Sequence, residues 1–301
     1  MGLSIYKIKK WTNMLLGNSV HHVNQGEGKC YSKEELKGYY NDLTEKVTRF
    51  GLASNDVPLT PVDTGENIYF SIAIFQYGLG SYDLYLENNE KDKLEKAVSC
   101  ANWAVDNQEN DGSWITFAYE NKDHPYSSMA QGEGVSLLIR LYDVTREEKY
   151  LISARKAIEF MLLPIESGGT TKYEGDDVFL YECTHDPLIL NGWIFSLWGL
   201  YDYCKYIQDE NIKFVLDKTL LSFKKRLQDF DIGYWSNYEE GGKRICSSFY
   251  HKLHIAQLRV MYDLFGDEIY KDYADKWEKY LKNFWNPKRA FLKKAIQKIL
   301  E

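Results

Sequence analysis

The chain has 301 residues, 44% of them apolar, and a formal net charge of −7 at pH 7. This length allows one large domain or two small ones. The acidic balance argues against nucleic acid as the main partner, because neutralising phosphates needs a basic stripe. It does not exclude an anionic sugar, since a few local cations are enough to bind one. Aromatic residues make up 15% of the chain, which suits either packed helical layers or a cleft whose rings stack on sugars.

The cysteines and the N-terminus predict the compartment. Five cysteines are scattered along the chain without a C-x-x-C pair, so we expect a reducing environment and no zinc site. Lys7, Lys9 and Lys10 are not followed by an apolar region, which predicts that there is no signal peptide. No run of 18 apolar residues occurs. We therefore expect a cytoplasmic protein without a membrane span.

Residues 1–65 carry little repeat signal and are predicted to form an N-terminal extension with one helix. Ser32 and Glu35 have the spacing of a capping box, in which the first caps the helix and the second reaches back to it. A helix is expected from there to about Phe50, with Gly51 ending it. Pro58 and Pro61 mark a loop.

Residues 66–301 contain a fourfold repeat and are predicted to form the catalytic domain. Four segments about 60 residues apart end in tyrosine and aspartate: Tyr82-Asp83, Tyr142-Asp143, Tyr201-Asp202 and Tyr262-Asp263. Each closes an apolar run, and a more charged run follows it. The predicted inner and outer helices are 67–86 and 91–108, 128–144 and 147–163, 188–207 and 210–230, and 250–265 and 268–284.

A repeating helical pair cannot bury its apolar face alone, so successive pairs must stack or close into a ring. The predicted fold is therefore all-α: an incomplete α/α toroid of about four helical hairpins. Three long connections, 110–127, 164–187 and 231–249, should emerge at one end of this ring, where long loops are often functional. Because four pairs leave the ring open, we expect a groove that suits a long polymer.

Several kinds of chemistry are disfavoured by the motifs. His251 and His254 share a helical face, but two histidines without H-E-x-x-H are too few for a metal centre. No G-x-S-x-G selects a nucleophilic serine, and no G-x-G-x-x-G follows a strand. We expect neither a metal nor a cofactor. A pair of glycosidase carboxylates stays open, because spacing in sequence does not fix the separation of the acidic residues Asp176, Asp177, Glu182 and Asp186.

Tyrosine with a neighbouring glutamate is the remaining acid–base combination. Glu182 follows Tyr181, and Tyr250 begins the segment that contains His251. Such groups could remove the proton from carbon 5 of a uronic acid, which is alpha to a carboxylate. The enediolate that forms needs cations or hydrogen-bond donors. By sequence, Lys243, Arg244 and His251 are the nearest candidates.

From Val62 to Asn283 the chain resembles the D-glucuronyl C5-epimerase family, whose members convert D-glucuronate to L-iduronate within heparan-type polysaccharides. The matching stretches occur in the same order as in the family: 72–79 (IAIFQYGL), 107–112 (NQENDG), 126–132 (YSSMAQG), 190–192 (LNG), 199–202 (GLYD) and 250–258 (YHKLHIAQL). The family's catalytic part is an α/α toroid, in agreement with the repeat.

The resemblance also implies site residues. The family's catalytic tyrosine falls on Tyr250, its second active-site tyrosine on Tyr234 and its loop glutamate on Glu182. Glu182 and Tyr250 would then serve opposite faces of carbon 5, one removing a proton and the other returning one. The expected substrate-binding residues are Tyr181, Asn191, Tyr126, Ser127, Ser128 and Met129, together with Arg244, His251 and Tyr69.

The chain departs from the family pattern in three ways. Cys183 or Thr184 stands where the family loop has a further tyrosine, and Asn237 stands where it has an arginine. The β-rich domain of the animal enzymes is absent between the first two predicted helices. The resemblance implies an anionic polysaccharide as partner, and a homodimer because the family forms dimers. A polysaccharide lyase, which shares the first proton abstraction, and a non-catalytic glycan-binding toroid remain alternatives.

Overall fold

The computed structural model describes residues 22–50, 57–62 and 66–300, without the side chains of residues 50 and 298–300. Ten helices account for most of this part of the chain, and the predicted all-α toroid is confirmed. They are α1 (Thr44–Phe50), α2 (Ser71–Asn88), α3 (Lys91–Asp106), α4 (Ser128–Thr145), α5 (Glu148–Met161), α6 (Leu190–Tyr206), α7 (Glu210–Arg226), α8 (Ser248–Phe265), α9 (Glu268–Lys282) and α10 (Asn286–Leu300).

Helices α2 to α9 form the four predicted hairpins. The inner helices α2, α4, α6 and α8 are buried on almost every side, whereas the outer helices bury a single stripe. Gly199 of α6 lies against the backbone of Gly132 in α4: a Cβ atom there would come within 2.2 Å of the Gly132 carbonyl oxygen. This close approach explains why glycine occurs inside the inner helices, where it lowers helix stability.

The predicted N-terminal helix is wrong over most of its length. Residues 33–43 form bends, and the helix begins only at Thr44. Ser32 does accept hydrogen bonds from the backbone of Glu34 and Glu35, but the carbonyl oxygens of Lys37 and Gly38 accept from the Arg140 guanidinium instead of continuing a helix. Tertiary hydrogen bonds have overridden the local capping signal.

Three of the four repeated aspartates hold this N-terminal segment. Asp83 accepts from the Tyr39 amide at 2.9 Å, and Asp202 accepts from the Tyr40 hydroxyl at 2.6 Å. Asp263 interacts with Lys33 and hydrogen-bonds Tyr31. The segment therefore covers the C-terminal ends of inner helices α2, α6 and α8. It also lies between the first and the fourth hairpin, where the repeat by itself leaves the ring open.

A fully buried ion pair lies at the centre of this contact. The Arg140 guanidinium is 2.5 Å from the Asp202 carboxylate, and both side chains are almost inaccessible to solvent. Ser136 donates to the same carboxylate at 2.6 Å. Buried charges need this degree of pairing to offset their desolvation. The division of the chain at residue 65 remains a prediction, although residues 22–50 pack tightly on the toroid.

Three features of the structure were not predicted from the sequence pattern. A short pair, β1 (Thr60–Pro61) and β2 (Asn67–Ile68), precedes α2. The connection between α5 and α6 contains an antiparallel hairpin of β3 (Thr171–Glu174) and β4 (Asp177–Leu180). Helix α10 follows the last predicted hairpin. Over the ranges that the structure describes, no helix combines the length and apolar character needed to cross a bilayer.

Candidate active site

A cavity of about 280 Å³ lies at the N-terminal ends of the four inner helices. The first two turns of each inner helix line it, through Ile72, Ala73 and Gln76 of α2, Met129 of α4, Asn191 and Phe195 of α6, and Tyr250 and Leu253 of α8. Each helix N-terminus carries a partial positive charge. Four of them around one cavity favour an anionic ligand.

The N-terminal segment supplies part of the cavity wall. His22, Gln25 and Lys46 line it, followed by Thr60, Pro61 and Val62 from the next loop. Residues outside the repeat therefore form part of the cavity wall at the open side of the ring. The groove for a long polymer, expected from four hairpins alone, remains a prediction.

Glu182 is the acidic group of the cavity. It comes directly after Tyr181, which follows β4, and only 7% of its surface is exposed. Its Oε2 atom accepts no hydrogen bond from any residue that the structure describes. Burial is the main reason that its pKa rises to about 8, with Asp186 adding to the effect and Arg244 opposing it. A carboxyl group of this kind can exchange a proton near neutral pH.

A glycine makes room for this carboxyl group. Glu182 packs on the first turn of α6 at Gly192, where a Cβ atom would lie 2.1 Å from Oε2 and 2.5 Å from the glutamate Cβ. The Leu190-Asn191-Gly192 stretch thus begins the helix and also admits the glutamate.

Two tyrosines line the cavity together with Glu182. The rings of Tyr238 and Tyr250 meet edge to face with centroids 4.8 Å apart, and their hydroxyl groups are hydrogen-bonded. Burial raises the pKa of both phenols, and the nearby Glu182 carboxyl raises each of them further. Both phenols are therefore protonated at neutral pH and can act as proton donors.

A second buried charge cluster borders the cavity. Lys46 lines it and lies near Glu133 of α4, whose Oε1 accepts from Gln76 at 2.8 Å. Burial lowers the pKa of Lys46 to about 8 and raises the pKa of Glu133 to about 8, while each charge opposes the shift of the other. Lys46 therefore contributes a basic group to the cavity wall.

Two residues expected in the site do not line the cavity, although Arg244 lies 5.6 Å from the centroid of the Tyr238 ring. Tyr234 is outside the cavity lining, and the Arg289 guanidinium lies 3.7 Å from its ring centroid. Arg244 is held by Glu239 and by Asp186, the latter at 2.7 Å. The Arg244 guanidinium is thus paired with two carboxylates.

His251 and His254 are core residues of α8. The His251 ring stacks on Trp235 at 3.6 Å, and its nitrogens contact the Ser236 hydroxyl and the Trp277 carbonyl oxygen. Ser236 also contacts His254. Burial lowers the pKa of His251 to about 4, so this imidazole is neutral at physiological pH.

The other expected substrate-binding residues divide into lining and supporting positions. Met129 and Asn191 line the cavity, and the Asn191 Oδ1 atom has no hydrogen-bond partner among the described residues. Ser127 caps α4, and the Ser128 amide donates to the Tyr181 carbonyl oxygen at 3.0 Å, which fixes the loop before Glu182. Two further aromatic residues pack outside the lining, Tyr126 against Phe160 and Tyr69 against Trp103.

Sequence reasoning missed Tyr238, Lys46 and Glu133. Tyr238 lies four residues after Tyr234, so the glycine-containing turn gave the correct loop but not the tyrosine that enters the cavity. Lys46 is in a segment without repeat signal, and nothing in its sequence neighbourhood marks it. Glu133 follows the matching stretch 126–132, and its position inside an apolar helix was the available signal.

One protein family matches most of the toroid. The family model described as the D-glucuronyl C5-epimerase C-terminus matches residues 108–279. The chain belongs to this family. The matched region includes Glu182, Tyr238 and Tyr250, whereas Lys46 and Gln76 lie before it.

The sequence identity to individual relatives is low. The chain is 28% identical to the D-glucuronyl C5-epimerase of Caenorhabditis elegans over 207 residues, which are 60% of this chain and 34% of that enzyme. It is 31% identical to an uncharacterized protein of Methanocaldococcus jannaschii over 156 residues, half of each protein. The chain thus spans half or less of these curated relatives.

A solved structure has the same fold. The crystal structure of a sugar epimerase from a ruminal bacterium superposes with a TM-score of 0.54 at 13% identity, covering 73% of this chain and 62% of the other. At that identity the likeness concerns the fold alone.

Proposed function

We propose that the protein is a uronate C5-epimerase that converts D-glucuronate to L-iduronate residues within a heparosan-like polysaccharide. The observation that carries the proposal is the buried Glu182 carboxyl, with its unpaired Oε2 atom, in one cavity with the hydrogen-bonded Tyr238 and Tyr250. Family membership supplies the reaction class.

The protonation states assign the two roles. Glu182 has a pKa of about 8 and is the group that can be deprotonated near neutral pH, whereas burial keeps both phenols protonated. In the forward direction the Glu182 carboxylate takes the C5 proton and the C–H electron pair moves into the substrate carboxylate. Tyr250, hydrogen-bonded to Tyr238, then donates its phenolic proton to the opposite face of C5. The reverse reaction exchanges these roles.

The cavity also offers groups that stabilise the enediolate. The N-termini of the four inner helices and the Lys46 ammonium in the cavity wall supply positive potential for the enediolate. This position suits Lys46 for holding the uronate carboxylate. Sequence reasoning offered Lys243, Arg244 and His251 for this function, and Arg244 is paired with Asp186 and Glu239.

The test is incubation with unsulfated and N-sulfated heparosan in heavy water, followed by proton NMR. Deuterium at C5 together with iduronate signals is the expected result, and the two substrates can then be ranked. An unsaturated, ultraviolet-absorbing uronate would identify a lyase instead. Binding without any C5 exchange by the folded protein would identify a glycan-binding toroid.

A further inference from the structure

The last helix has a charge pattern unlike that of the rest of the chain. Residues 286–300, which form α10, contain five lysines and arginines and no acidic residue, in a protein whose net charge is −7. Large apolar residues alternate with these cations. A basic segment of this kind in an acidic protein favours contact with an anionic surface.

One face of α10 is attached to the toroid. Ala290 is buried with Trp235, Ile245 and Cys246, and the Gln297 side chain accepts from the Ile245 amide at 3.2 Å. Arg289 covers Tyr234 at the start of the helix. The helix thus docks on the connection between α7 and α8, and its orientation is fixed.

The opposite face carries large apolar side chains into solvent. Trp285 is 70% exposed, Leu292 is 61% exposed and Ile296 is 49% exposed. With Lys288, they recur at three- and four-residue intervals and so form one stripe along the helix. Phe284 beside them is 67% exposed. Neighbouring exposed apolar side chains along one face of a docked helix mark a binding surface.

We infer that this face of α10 is a docking surface for an anionic lipid bilayer, on which the helix lies in the interface plane. Interfacial helices typically carry tryptophan, phenylalanine and aliphatic residues on one face, with lysines around them. The lysines complement acidic headgroups.

An anionic polysaccharide fits this face less well. Leu292 and Ile296 have no flat ring to stack on a sugar. The ring of Phe284 is already covered by the Lys288 ammonium, 3.4 Å from its centroid. A lipid surface accommodates both features, because aliphatic side chains enter the acyl boundary while the ammonium remains among the headgroups.

The experiment is flotation of the full chain with two vesicle preparations, one of phosphatidylcholine and one of phosphatidylcholine with 30% phosphatidylglycerol. We expect at least a tenfold preference for the anionic vesicles at 0.1 M salt and loss of that preference at 0.5 M salt, since exposed charges are screened. Equal partitioning to both preparations, or none, would overturn the inference.

Two matched variants locate the surface. Trp285→Ser/Leu292→Ser should lower binding to the anionic vesicles at least tenfold. Phe214→Ser/Leu221→Ser removes side chains of similar exposure, 62% and 50%, from outer helix α7 and should leave binding unchanged. Circular dichroism and thermal unfolding verify that both variants are folded. Unchanged binding of the α10 variant to the anionic vesicles would refute the lipid surface.

Discussion

At the residue scale, the protonation state of Glu182 controls the proposed reaction. Its side chain is buried, and its pKa is raised to about 8. A base must be deprotonated to act, so the fraction of active enzyme rises as pH approaches that value. Protonated phenols remain available throughout this range, because their pKa values are shifted upward.

We therefore expect the rate of C5 deuterium exchange from D-glucuronate to rise about tenfold per pH unit below pH 8 and to level off above it. The measurement is exchange by NMR across a pH series. Glu182→Gln should lose activity by a factor of about 10² to 10⁴ at every pH, while the exposed hairpin variant Glu174→Gln serves as control. A flat pH profile in the unmodified protein would contradict the assignment.

The two candidate second tyrosines can be separated by a matched pair of variants. Tyr238 hydrogen-bonds Tyr250 inside the cavity, whereas Tyr234 packs under Arg289 outside it. We expect Tyr238→Phe to lower the exchange rate at least tenfold more than Tyr234→Phe does, because only the first removes a hydroxyl group from the cavity. The kinetic comparison uses one substrate at saturating concentration. A larger effect of Tyr234→Phe would restore the role that the family resemblance assigns to it.

At the element scale, the start of α6 positions Glu182, the base of the proposed reaction. Gly192→Ala should favour the helix by about 1 kcal/mol on propensity alone. Its new Cβ atom, however, would lie 2.1 Å from the Glu182 Oε2 atom. The Glu182 carboxyl group must then move from its position in the cavity. A displacement of about 1 Å can lower the rate of an enzyme about 10²-fold.

The Gly192→Ala variant should accordingly remain folded and lose most of its exchange activity. Gly26→Ala is the control, because a Cβ atom at Gly26 meets nothing within 4 Å. Activity and thermal unfolding are measured on both. Full activity in Gly192→Ala would mean that the position of Glu182 on this helix does not matter for the reaction.

At the scale of the whole molecule, the repeated aspartates show how the N-terminal segment is joined to the toroid. Asp202 is buried and paired with Arg140, and it also binds Tyr40 of that segment. Asp143 occupies the equivalent position of the second repeat but pairs with Arg146 in a solvent-exposed bridge. The same sequence position thus has two very different environments.

Asp202→Asn should lower the free energy of unfolding by about 3–5 kcal/mol, because it leaves the Arg140 charge buried without its partner. Asp143→Asn should change it by less than about 1 kcal/mol, as expected for an exposed ion pair. Denaturant unfolding of both variants measures the difference. Similar values for the two would show that the buried network does not hold the segment to the toroid.

Much of the fold could be predicted because helical periodicity is a local property. The alternation of apolar and charged runs predicted the eight helices of the toroid, with ends that differ from the structure by a few residues. Helix α10 and the β3–β4 hairpin were missed, since neither belongs to the repeat. The N-terminal helix was predicted wrongly because the carbonyl oxygens of Lys37 and Gly38 bind a distant arginine.

The repeat, the family and the loops that carry Glu182 and Tyr250 follow from local sequence patterns. Which side chains share the cavity depends on how the helices and loops pack. Tyr238 and Tyr234 are four residues apart in one loop, and the direction of each depends on packing against α8 and α10. Lys46 enters the cavity because residues 22–50 close the gap between the first and fourth hairpins, a contact between distant parts of the chain that periodicity cannot reveal.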